Sequence, residues 1–169
     1  DRLFSESSET SGRQQADITG LIGQYAHGNE PSHHMAYLYN YLGQPWKTQK
    51  RVREIMQDLY TTEPDGYSGN EDCGQMSAWY VLSALGFHPV NPADGKYAIG
   101  RPMFDQVSIP VRNGEGEFKV IARNNSSENK YPQSIRLNGR EMERPFIRHK
   151  DIMEGGILEV DMGPEPPAR

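Results

Sequence analysis

PDGYSGNEDCGQMSAWYVLSALGF, residues 64–87, is the one stretch where a polar, glycine-punctuated loop runs directly into a long apolar segment. Gly66 and Gly69 open backbone conformations closed to other residues, and Asn70 suits a helix N-cap. Glu71 and Asp72 then fall in the first turn of the predicted helix, where its dipole favours negative charge. The helix body, from Met76 to Leu85, is apolar nearly all round, which predicts burial. Two carboxylates at the mouth of a buried helix serve equally as caps or as chemistry, and spacing alone leaves both open.

A second junction of the same kind lies upstream at HGNEPSHH, residues 27–34. Before it, Ile18, Leu21, Ile22 and Tyr25 recur at helical spacing, which predicts a short helix over 16–25 weakened by Gly20 and Gly23. After it, Pro31 and Ser32 suit a helix start and Gly43 a C-cap. Pro45 opens an amphipathic helix to Tyr60, with Trp46, Val52, Ile55, Met56 and Leu59 on one face and a solvated basic face opposite. The polar run over residues 1–12 reads as loop, in keeping with a processed edge or an excised piece of a longer chain.

Beyond Pro89 the pattern changes. Val107-Ser108-Ile109, Phe118 to Ala122, Ile135-Arg136-Leu137 and Ile157 to Val160 alternate as short strands, with turn signals at Asn113-Gly114 and Asn138-Gly139, the second a strong hairpin signal. The class predicted is α+β, a helical part over residues 1–92 and a β-rich part over 93–169 built as an antiparallel sheet or sandwich, with a frayed proline-rich tail. The chain has 169 residues and a net charge of −5. That balance argues against nucleic acid or an anionic membrane surface as a general partner, and no apolar run is long enough for a membrane span. Cys73 is the only cysteine, so no internal disulfide forms; inside a helix it reads as a small hydrophobe.

The two loops supply Asn29, Glu30, His33, His34, Asp65, Asn70, Glu71, Asp72 and Gln75, with aromatic residues close by. Carboxylates, amides and aromatics together suit a carbohydrate, whose hydroxyls pair with the former while its apolar face stacks on rings. The same oxygens are hard ligands that suit calcium better than zinc, and His33, His34 and Cys73 lack a zinc spacing. Adjacent histidines on a helix point different ways, so at most one of His33 and His34 faces a site. Trp46 and Trp79 sit at core spacing and read as buried structural residues.

HGNEPSHHMAYLYNYLGQPWKTQ, the 64–92 run and YAIGRPMFDQVSI together resemble glycoside hydrolase family 92, the calcium-dependent exo-acting α-mannosidases. The likeness runs from about Gly12 to the GPEP tail, and family members are several times longer. It implies the last part of an (α/α)6-barrel catalytic domain with its closing strands, and hence helices of an incomplete barrel here. It implies an inverting hydrolysis of mannose-containing glycans, which needs one carboxylic acid and one carboxylate base. On that likeness the base is Asp72, with Asn70 and Glu71 in support. Glu30 and Asn29 help to hold calcium, and the HGNEPSHH segment, His33 and His34 included, lines the subsite of the cleaved mannose. Arg13 and Gln14 lie where residues contacting the leaving sugar vary, and the general acid belongs to an N-terminal part that is a partner of this one. A periplasmic or extracellular setting follows. Two other readings stand beside it, a calcium-dependent mannose-binding module and a structural piece inactive in isolation.

Overall fold

The computed structural model describes residues 1–13 and 15–167. A two-stranded hairpin, β1 (Leu21–Ile22) with β2 (Tyr25–Ala26), opens the helical half. After 3-10 turns at Glu30–Ser32 and Met35–Tyr37 come the single-turn α1 (Leu38–Tyr41) and the long α2 (Pro45–Asp58). α3 (Gln75–Leu85) leads straight into β3 (Phe87–His88) and β4 (Lys96–Ile99). The β half holds β5 (Gln106–Val111), β6 (Gly116–Arg123), β7 (Tyr131–Leu137), β8 (Arg140–Glu141), β9 (Phe146–Arg148), the short α4 (His149–Met153) and β10 (Gly156–Gly163).

Five strands pair in the order β5-β6-β10-β7-β8, and β3-β4-β9 form a separate sheet. All pairs are antiparallel except β10 with β6. The wholly antiparallel sheet expected from the sequence is therefore mixed. Alternating side chains mark which face of a strand is buried but not its direction, so the late insertion of β10 between β6 and β7 leaves no trace in the pattern. The Asn138-Gly139 signal does mark a tight turn between β7 and β8, with φ of 50° and 76°, as a type I′ turn requires.

Two apolar cores result. Tyr25, Tyr37, Val52, Ile55 and Trp79 anchor the one under the helices, while Phe118, Val120, Ile147, Leu158 and Val160 anchor the one in the sheets. α3 belongs to both, giving Trp79 and Ala84 to the first and resting Leu82 and Leu85 on the second. It is not buried all round as its composition predicts, since Ala78 is exposed and Val81 is 55% exposed. Among the described residues no helix is long and apolar enough to cross a membrane.

The helix predicted over 16–25 is the β1–β2 hairpin instead. Gly23 turns with φ of 62°, and a Cβ there would stand 2.6 Å from the Leu3 carbonyl oxygen, so the hairpin wraps the 3-10 turn Arg2–Phe4. Phe4 is buried against Tyr25, and the first residues are thus anchored rather than wholly loop. The helix predicted from Pro31 to Gly43 breaks into 3-10 turns and α1.

Candidate active site

α3 begins later in the chain than an Asn70 cap would start it. Its N-cap is Gly74, at φ 91°, preceded by Asp72 and Cys73 at φ 47° and 57°. Three successive residues in the left-handed region turn the chain sharply before the helix, a conformation that costs a non-glycine residue of order 1 kcal/mol or more. Cys73 is consequently exposed and lies outside the helix. Asn70 is exposed on the approach to the turn.

The turn separates the roles of the two carboxylates. Glu71 reaches forward over the helix mouth, where it accepts from the Ser77 backbone N–H at 3.1 Å and from the Ser77 hydroxyl at 2.8 Å. The Tyr67 hydroxyl donates to it as well, and these bonds hold the Glu71 pKa below the ordinary carboxylate range, Tyr67 first. Glu71 is the cap of α3, bonding the N3 position from outside the helix. Asp72 is exposed, and its side chain caps nothing among the described residues.

What Asp72 meets is Glu30. The Asp72 carboxyl close beside it raises the Glu30 pKa, and the Asp17 charge adds to this. Among the described residues neither Glu30 nor Asp72 forms an ion pair with a lysine or arginine. Two carboxyls brought together without a cationic partner favour either a shared proton or a metal ion. Glu30 and Asn29 are oxygen donors of the kind calcium takes, and Asn29 makes no side-chain bond to the 3-10 turn it precedes. The donor set fits part of a calcium sphere. Among the described residues no group of three histidine, cysteine or acidic side chains gathers, so the remaining ligands of a calcium ion held there would come from water, sugar hydroxyls or other protein.

The histidines sit behind this pair. His33 is 2% exposed; its Nε2–H donates to the His27 carbonyl at 3.0 Å, and its Nδ1 accepts from the Gln75 amide at 3.2 Å. Both ring nitrogens are therefore spent inside the protein, and His33 does not present its ring to a sugar from this position. Burial lowers its pKa, in keeping with a neutral ring. His34 is half-buried beside it, and Arg13 is exposed at the start of the chain. Gln14 lies outside the described residues. The Trp79 indole N–H donates to the His33 carbonyl at 3.0 Å, which makes the fully buried Trp79 a structural residue as its spacing predicts.

Sequence reasoning missed the backbone contact that joins the loops. A Cβ on Gly69, at φ 97°, would stand 2.5 Å from the Gly28 carbonyl oxygen, so the two Gly-Asn-Glu segments lie back to back through their glycines. It also missed Tyr67 on Glu71; the recurring tripeptide and the spacing of four between Tyr67 and Glu71 were the available signals.

Residues 1–164 match the model of the glycosyl hydrolase family 92 catalytic domain. The family GH92 α-mannosidase BT3965 of Bacteroides thetaiotaomicron, in complex with mannoimidazole, superposes with a TM-score of 0.90 at 41% identity, over 97% of this chain and 21% of that one. The family GH92 inverting mannosidase BT2199 of the same organism gives a TM-score of 0.78 at 46% identity, over 86% and 20%. An uncharacterized secreted glycosidase of Arthroderma benhamiae is 35% identical over 140 residues, 82% of this chain and 18% of its own length. The chain thus spans about a fifth of each of these relatives. With its loops, its turn and nearly its whole length accounted for by that match, the chain belongs to glycoside hydrolase family 92.

Proposed function

We propose that this chain is the base-bearing part of an inverting exo-α-mannosidase that removes terminal mannose from glycans with calcium, and that its helices complete an (α/α)6-type barrel with the rest of a longer catalytic domain. The observation that carries the reading is the division of labour at the turn before α3. Glu71 does the capping, so Asp72 is left free beside Glu30 in a backbone conformation that capping does not require.

The closeness of the two carboxyls bears on the roles they take in this reading. An inverting glycosidase keeps its acid and base roughly 6.5–9.5 Å apart so that water fits between sugar and base. Glu30 and Asp72 lie side by side, which leaves little room between them for sugar and water, so in this reading they are not the acid and base of one inverting step. The acid, in this reading, comes from another part of the protein. In this reading Asp72 accepts the proton of the attacking water, Glu30 and Asn29 hold calcium, and Glu71 fixes the turn that presents Asp72. Bound calcium would draw the sugar hydroxyls into place and polarise them. The likeness to a secreted relative supports a periplasmic or extracellular setting.

The test is Asp72→Asn in the complete enzyme. It keeps shape and most hydrogen bonds but removes the proton acceptor, so kcat should fall by roughly 10²–10⁴-fold while sugar binding survives. A near-normal kcat in that variant, measured beside its sugar affinity, removes Asp72 from the mechanism.

A further inference from the structure

We propose that His27 and Tyr60 are positioning residues for the Glu30–Asp72 pair, forming a buried strut that sets the spacing of the two loops. The proposal rests on the reading of that pair as the base-bearing site. Both act through the backbone that carries the pair, since their side-chain hydrogen bonds run to Tyr25, to each other and to Met76.

The strut is a line of three hydrogen bonds. The Tyr25 hydroxyl lies 2.8 Å from His27 Nδ1, His27 Nε2 lies 2.7 Å from the Tyr60 hydroxyl, and the Tyr60 hydroxyl donates to the Met76 carbonyl at 3.3 Å. A carbonyl only accepts, so Tyr60 has given its one proton to Met76 and must accept from His27 Nε2–H. That leaves His27 Nδ1 bare to accept from Tyr25. One arrangement of protons satisfies all three contacts, and it needs a neutral imidazole in a single tautomer. His27 is 0% exposed and both its ring nitrogens are engaged inside the protein, so the contacts themselves select this form.

The ends of the strut are the two loops. His27 lies one turn before Glu30, and Met76 lies in the first turn of α3, just after Asp72. Tyr60 also pairs its backbone with Tyr67, the residue that donates to Glu71. Rings fill the space on either side: His27 stacks on His33 at 4.6 Å between centroids and meets Trp79 edge-on at 4.4 Å, while Tyr60 lies parallel to Trp79 at 6.0 Å. A packed ring cluster resists compression, and the hydrogen bonds resist separation. Together they fix how closely Gly28 and Gly69, and hence Glu30 and Asp72, approach.

Tyr60→Phe is the discriminating variant, since it keeps the ring and removes only the oxygen that joins His27 to Met76. In the chain itself, NMR should show a slowly exchanging His27 Nε2 proton and a contact between the α-protons of Gly28 and Gly69; Tyr60→Phe should lose the first and weaken the second. In the complete enzyme kcat should fall by about tenfold, more than any change in KM, because misplacement of the base by an ångström costs up to about 100-fold while Glu30 and Asn29 keep their places on their own loop. His27→Phe combined with Tyr60→Phe should be no worse than the worse single variant, as expected of one unit. An unchanged Gly28–Gly69 contact in Tyr60→Phe, or an unchanged kcat once the Nε2 proton is lost, overturns the strut. A wild-type enzyme without mannosidase activity overturns the reading of the pair instead, and the glycine contact still decides the strut.

Discussion

The tripeptide Gly-Asn-Glu occurs twice, at 28–30 and 69–71, and the two copies do different things. In the first, Asn29 is extended and Glu30 opens a 3-10 turn with its carboxyl directed to Asp72. In the second, Gly69 is left-handed and Glu71 folds forward onto the N-terminal turn of α3. The same residues thus yield one carboxylate held in a pair and one consumed as a cap. What differs is the sequence that follows. Pro31 continues the first copy into a turn, whereas Asp72-Cys73-Gly74 reverses the second through three positive φ angles before the helix can start. A motif shared by two loops is therefore no guide to the role of the glutamate inside it.

The largest effect on this comparison should come from removing the contact that holds the copies back to back. Gly69→Ala places a Cβ 2.5 Å from the Gly28 carbonyl oxygen at a φ of 97°, so it adds backbone strain of about 1–3 kcal/mol and a clash with backbone that cannot yield. Gly43→Ala is the control, since its φ of 68° carries similar strain with nothing within 4 Å. Thermal melts should show a clearly larger drop for Gly69→Ala, and only that variant should separate Glu30 from Asp72. Equal losses in the two variants would mean that the loops are not joined through their glycines.

Acid should act next, through the histidines packed behind the first copy. His27 and His88 are neutral in the fold, with pKa values of about 3 and about 4, both lowered by burial first. Unfolded histidine titrates near 6.5, so below that pH the unfolded chain binds protons that the folded chain refuses. Stability is then full above about pH 6.5 and declines as pH falls from there toward 4. A tenfold difference in proton affinity between folded and unfolded chain corresponds to about 1.4 kcal/mol, which makes the loss large against an ordinary folding free energy. Urea midpoints between pH 7 and pH 4 read it, and a flat profile would show that these rings are not buried neutral.

The β half was legible because its signals are local: alternation and an Asn-Gly turn located each long strand. The loops were not, because their geometry is set by partners distant in sequence. Gly23 turns as it does because Leu3 crosses it, and Gly69 because Gly28 does. Propensity selects Asn70 as the cap, but the left-handed turn at Asp72-Cys73-Gly74 delays the helix, and Glu71 reaches its first N–H groups from outside. Periodicity likewise cannot show that α3 leaves Ala78 and Val81 on the surface, since an apolar helix reads the same whether or not every face has found its neighbour. The two carboxylate loops were identified from sequence, but the pairing of Glu30 with Asp72 across 42 positions was not.

The smallest effect should come from Glu71→Gln, and it sharpens the comparison most directly because Glu71 and Asp72 are neighbours. Glutamine keeps one acceptor oxygen for Ser77 but loses the charge that the Ser77 and Tyr67 donors stabilise. The helix should persist with a weaker cap, and for a chain of this size a loss typical of capping lowers Tm by roughly 2–4 °C at neutral pH. The sign with pH follows from the lowered pKa. The stabilisation by ionised Glu71 is present above its unfolded pKa and disappears as pH falls through the lower folded value, so the gap between wild type and Glu71→Gln should close on acidification. In the complete enzyme kcat should change far less than in Asp72→Asn, because the turn survives and the proton acceptor is untouched. If Glu71→Gln abolishes kcat while leaving Tm alone, the two carboxylates have exchanged roles, and the cap of α3 is the site of catalysis.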